Sequence, residues 1–94
     1  MNIKFEYDPN KSLSNKQKHG IDFEEIQELF LGIVAVANAK NVDGEVRFSA
    51  IGKVAQKFYT VIYTYRETNV RIISARRSRK REESIYEEYY NKRV

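Results

Sequence analysis

The chain has 94 residues, 32% of them charged and 41% hydrophobic, with net charge +4, one histidine and no cysteine. That length suits one domain, expected over residues 1–94, with a single modest core. Without cysteine there is no disulfide framework, thiolate nucleophile or cysteine metal site, and a lone histidine rules out a two-histidine metal motif, so neither metal nor other cofactor is expected.

The N-terminal Met1–Asp8 contains no apolar core of signal-peptide length, and no stretch approaches the ~20 apolar residues of a membrane span. A cytoplasmic protein without membrane contact is expected. Ile3 and Phe5 alternate with polar residues, a short strand that ends at Asp8-Pro9. Asp8 suits an N-cap and Pro9 the first helical position, opening a helix over roughly 9–18 that Gly20 ends in a left-handed turn. Asp22-Phe-Glu-Glu25 resembles a capping box and Ile21 with Ile26 a hydrophobic staple, so a second α-helix is expected, with Phe23, Ile26, Leu29 and Phe30 on one face.

From Ile33 the periodicity falls to two and β-branched and aromatic residues dominate. Strands are placed near 33–39, 46–53, 57–65 and 69–76. Their short loops imply an antiparallel meander. Ser78 can cap a last helix carrying Ile85, Tyr86, Tyr89 and Tyr90 as a stripe. The order β-α-α-β-β-β-β-α describes an α+β domain whose helices pack on one antiparallel sheet.

Residues 1–70 hold nine Lys/Arg and nine Asp/Glu, whereas 71–94 hold eight and four. Six cations and no acid occupy 71–81. Arginines gathered where a strand runs into a helix start favour a phosphate, and nucleic acid is the first partner to consider. Arg76 and Arg77 are successive on a strand and point to opposite sides, with Arg71 and Ile73 on the side of Arg77 by simple alternation. Arg79, Lys80 and Arg81 fall in the first helical turn, where cations oppose the dipole unless an anion visits. The plainer alternative is a solvated face paired with Glu82, Glu83 and Glu87.

His19 is the one side chain that ordinarily titrates near neutrality, which suits a general acid or base, yet a helix C-terminus also gives it a structural task. Glu45 and Arg47, two apart, share one strand face. Tyr86 is read as the exposed aromatic nearest the arginines. No phosphate-binding glycine loop, nucleophile elbow or carboxylate cluster is present. RNA still offers a route, since its 2′-hydroxyl attacks the adjacent phosphate once a base takes the proton and cations stabilise the developing charge.

Phe5-Glu-Tyr-Asp8-Pro9, Asn15 with Lys18-His19-Gly20-Ile21, Phe23-Glu24-Glu25, Gly44-Glu45 with Arg47, Ile51-Gly52, and Arg71-Ile-Ile-Ser-Ala-Arg76-Arg77 followed by Arg81-Glu82 and Tyr86-Glu87 together resemble the BrnT family of type II toxin-antitoxin toxins. Tyr7 stands where that family usually has Trp, and Arg79 where Thr is common. The resemblance implies a RelE-like fold and a metal-independent ribonuclease that arrests translation. It also implies a DNA-binding, BrnA-type antitoxin that neutralises the toxin and, with it, represses their shared promoter; a toxin homodimer inside that complex is one arrangement open to it. On this basis Arg76 and Arg47 would bind the scissile phosphate, Glu45 or His19 would move protons, and Tyr86 would hold a base or phosphate. Arg71, Arg77, Arg79 and Lys18 would bind RNA phosphates. A non-catalytic basic module that docks RNA or protein would use the same cations.

Overall fold

The computed structural model describes residues 3–93; Met1, Asn2 and Val94, the ends of the expected 1–94 domain, lie outside them. The elements are β1 (Phe5–Glu6), α1 (Pro9–His19), a 3-10 helix (Glu25–Leu31), β2 (Ala35–Asn38), β3 (Phe48–Val54), β4 (Lys57–Arg66), β5 (Asn69–Arg77) and α2 (Lys80–Arg93). They form an α+β fold around one five-stranded sheet ordered β1-β5-β4-β3-β2. β2 to β5 make the antiparallel meander expected from their short loops. The sheet as a whole is mixed, however, because β1 pairs in parallel with β5, Phe5 opposite Val70 and Glu6 opposite Arg71. Tight loops force antiparallel neighbours only between consecutive strands, whereas more than sixty residues separate β1 from β5, ample for a crossover.

α1 begins and ends as its caps dictate. Asp8 Oδ1 accepts the amides of Asn10 at 2.8 Å and Lys11 at 3.4 Å, and Gly20, at φ 77°, donates to Lys16 O. The capping box also forms: Asp22 Oδ1 accepts from the amides of Glu24 and Glu25, and Glu25 Oε1 accepts from Asp22 N. Beyond this cap the chain winds into a seven-residue 3-10 helix instead of the expected α-helix. Phe23, Ile26 and Leu29 recur every third residue, so three residues per turn align them in one buried row, which 3.6 per turn would splay.

One sheet face, the core face, packs against α1 and the 3-10 helix through Phe23, Ile26, Leu29, Val61, Tyr63, Val70, Ile72 and Ala75. Gly52 is required there, since a Cβ at that position would lie 2.8 Å from Leu29 Cγ. The opposite face carries α2 over β2 and β3, with Tyr86 packed among Ala35, Ile51, Ile33 and Phe58. Between β4 and β5 the register slips: Ile62 faces Ser74 but Tyr63 faces Ile72, leaving Ile73 as the extra residue of a bulge.

Candidate ribonuclease site

The bulge decides which arginines share a surface. Simple alternation along β5 puts Arg71 with Arg77; the extra residue Ile73 reverses that parity and puts Arg71 with Arg76, on the α2 face. Arg77 turns to the core side, where its guanidinium lies over the Tyr59 ring at 5.6 Å and Nε donates to Phe58 O.

At the junction of β5 and α2, Arg76 donates two parallel hydrogen bonds, Nη1 to Glu82 Oε1 and Nη2 to Glu82 Oε2, both 2.8 Å. Glu82 Oε1 also accepts from the Arg79 amide at 2.8 Å, and so caps the start of α2. Ser78, expected to cap this helix, instead bonds Thr60 Oγ1 at 2.8 Å, while its amide donates to Phe58 O. Arg76 in first place, then the Arg79 amide and Thr60, hold the Glu82 carboxyl down at about 2. The same pair raises Arg76 above the ordinary guanidinium value. Glu82 is therefore an ionised acceptor at neutral pH and cannot donate a proton. Its position in the first turn of α2 also offsets the cations around it, which answers the dipole penalty expected of Arg79, Lys80 and Arg81.

α1 runs beside β5 in the same sense, from Asp8, just after Glu6 opposite Arg71, to Asn15, which meets Ala75. Asn15 Nδ2 donates to Ala75 O at 2.9 Å and to Ile21 O at 2.8 Å, and its Oδ1 accepts from Ala75 N at 3.3 Å. The amide thus takes the place of a neighbouring strand where β1 has ended. Lys18 and His19, one turn further on, are exposed at the end of α1.

The Ala39 amide bonds Arg47 O, extending the β2–β3 ladder one residue beyond Phe48. Phe48 packs in the core, so Arg47 faces the α2 side. Its Nε donates to Glu45 Oε1 at 3.1 Å. The structure does not bring Arg47 beside Arg76: Arg47 precedes Phe48, which pairs with Tyr63, and so lies toward the row of Thr64 and Arg71, while Arg76 lies in the row of Thr60 and Ile51. Arg71 donates to Glu6 Oε1 at 3.1 Å, and Asn69, then Arg71, draw the Glu6 carboxyl below the usual range.

Tyr86 is not the exposed aromatic the sequence suggested. It is 8% exposed, set edge-on against Phe58 at 5.2 Å and stacked on Tyr90 at 6.3 Å. Tyr90, 41% exposed, is the ring that borders solvent there, beside Lys53 and Asn91 in a shallow hollow. Arg79, Lys80 and Arg81 are exposed around the first turn of α2. Thr60 is the member of the site that sequence reading missed, and Glu82, read there only as a surface partner of the cations, is the half-buried acid that orients Arg76. The available signal was Glu82 three residues after Arg79, the spacing of a capping acid at a helix start.

No curated protein matches the chain. The bidentate arginine at a strand–helix corner, the helix that Asn15 ties to the strand before it and the sheet behind both fall almost wholly within residues 7–82. Those residues match the family described as the ribonuclease toxin, BrnT, of type II toxin-antitoxin systems, and the chain belongs to that family.

Proposed function

We propose that this chain is a metal-independent endoribonuclease, RelE-like in its single domain, that arrests translation in the cytoplasm until a BrnA-type antitoxin covers it. The observation that carries the proposal is the Arg76–Glu82 pair, a guanidinium fixed in orientation before substrate arrives. A charge held in place costs no reorganisation when the phosphate develops its extra negative charge, which is where such groups contribute most. The fork also leaves N–H donors beyond the two given to Glu82.

In the proposed reaction the 2′-oxygen forms a bond to the adjacent phosphorus as the bond to the 5′-oxygen breaks, giving a 2′,3′-cyclic phosphate and a 5′-hydroxyl. One proton leaves the 2′-hydroxyl for a base and one reaches the departing oxygen. Arg76 faces the phosphate, with Arg79 as its neighbouring cation, while Arg77, turned to the opposite sheet face, and Lys18 would meet phosphates farther along the strand. His19 is favoured over Glu45 for the proton transfers because Asn15 ties its helix to Ala75, the residue before Arg76, whereas Glu45 is committed to Arg47 in another row. Tyr86 serves by holding Tyr90 and α2 in place.

Incubation of RNA with the protein in excess EDTA tests this. Wild-type cleavage that persists, with cyclic phosphate ends, and that Arg76→Ala lacks, is the expected result. Intact RNA that is nevertheless bound would favour a non-catalytic basic module. Promoter DNA is expected to bind only through the antitoxin complex.

A further inference from the structure

Three arginines on the α2 face stand in the same chemical situation. Arg76 is paired with Glu82 at 2.8 Å, Arg71 with Glu6 at 3.1 Å and Arg47 with Glu45 at 3.1 Å. Each guanidinium side chain is 26–28% exposed, so each is reachable from solvent. The Arg71–Glu6 and Arg47–Glu45 pairs, open on both partners, contribute little to stability. They do hold a planar fork in one orientation, where a phosphate can compete for it.

The ground between them is suited to a chain lying on it. α2 packs on β2 and β3, and the row Ser49, Ile62 and Ser74 between the arginines is half-buried and uncharged. Thr64, paired with Arg71 on one side, turns its hydroxyl on the other to the carbonyl of Val46, the residue before Arg47. Arg47 and Arg71 are two strand spacings apart, about 10 Å between backbones, which two extended arginine side chains can span to clasp one anion. Thr60 opposite Arg76 and Thr64 opposite Arg71 are four residues apart on β4, about 13 Å at ~3.3 Å per residue. That separation is too long for one phosphate to bridge and suits two phosphates of an extended single strand tracking the groove.

We propose that Arg71 and Arg47 form a second phosphate subsite, which takes a phosphate about two nucleotides along the same RNA strand from the one held at Arg76. The proposal rests on the ribonuclease reading of the Arg76 corner. Its substrate is therefore a single-stranded segment of at least three nucleotides, gripped at both ends of the sheet face. Glu6 and Glu45 act as stand-ins for phosphate, orienting the two forks in the free protein and yielding them to RNA.

The test is fluorescence anisotropy with single-stranded oligonucleotides of two to six residues, made uncleavable by 2′-deoxy substitution, together with kinetics on their ribose counterparts. In the wild type, affinity should rise steeply once the oligomer reaches the second subsite. Arg71→Ala should leave the dinucleotide unchanged and weaken the longer oligomers about tenfold, the loss expected for a charge-assisted contact. Glu6→Gln, which removes the competing carboxylate, should tighten the longer oligomers. Circular dichroism checks each fold, and Arg47→Ala carries the same expectation should Arg71→Ala fail to fold. Equal weakening at every length, or Glu6→Gln that binds long oligomers no better, overturns the subsite. Length-dependent binding without cleavage would overturn the catalytic role of Arg76 while leaving the subsite standing.

Discussion

At the scale of single residues, Arg76 and Glu82 act as one unit and should respond to mutation in different ways. Arg76→Ala is expected to lower RNA cleavage by about 10²–10³-fold with the far-ultraviolet spectrum unchanged, the usual loss when one preorganised charge stabiliser is removed. Arg76→Lys should recover little, because a point charge cannot keep both bonds to Glu82 and face a phosphate. Glu82 should report through pH. Its folded value of about 2 lies below the ordinary 4.5, so the stability it confers is complete above about pH 4.5 and is lost as pH falls through about 2. Glu82→Gln should therefore cost roughly 1–2 kcal/mol at pH 7, with allowance for the partial exposure of Arg76, and nothing below about pH 2. Urea midpoints of both proteins at pH 7 and pH 2 decide it. His19→Gln should slow cleavage less than Arg76→Ala; a loss as large as that of Arg76→Ala, together with disappearance of an ionisation near neutrality from the pH-rate profile, would give His19 the proton-transfer role outright.

Elements were the most legible level, and their limits were physical. The caps of α1 and the four meander strands arise from local chemistry that acts within a few residues, and each lies within about two residues of its expected place. The parallel β1 and the Ile73 bulge do not, because both depend on chains meeting across the fold. The bulge matters most for the candidate site: one extra residue moved Arg71 from the side of Arg77 to that of Arg76. The period of the 3-10 helix lay in the every-third spacing of Phe23, Ile26 and Leu29, but Phe30 added to that run makes it read as an α-helical face. Asn15 shows what long-range contacts add. Among polar residues of α1 it looks like a surface position, yet it is 7% exposed and satisfies both backbone groups of Ala75. Asn15→Ala would leave buried backbone groups without partners, at a cost of about 3 kcal/mol, or a Tm fall of roughly 12 °C or more in a domain this size. A melting temperature within a few degrees of wild type would mean that water replaces the amide.

For the whole molecule, charge and exposed rings mark the side expected to meet other macromolecules. The family pairs such toxins with antitoxins, and the cationic corner with Ile85, Tyr89 and Tyr90 exposed on α2 offers both steering charge and apolar anchors. A small protein encoded beside this one is expected to co-purify with it and to slow hydrogen exchange at the end of β5 and along α2. Protection restricted to α1 and the 3-10 helix would show that neutralisation leaves the arginines open.

The two-residue β1 has a consequence for how the molecule comes together. Pairing Phe5 with Val70 closes a loop of about 65 residues, an ordering cost near 4 kcal/mol that no local contact defrays. The hairpins of residues 48–77 and the turn into α2 close far shorter loops, so they should form first, with the N-terminal strand and α1 docking afterwards like a clasp. Reopening should retrace that order, releasing residues 5–19 while the arginine-bearing strands stay intact. Pulsed hydrogen labelling during refolding should therefore protect β4 and β5 before α1, and the corner that bears Arg76 should take shape only once the last third of the chain is free to fold.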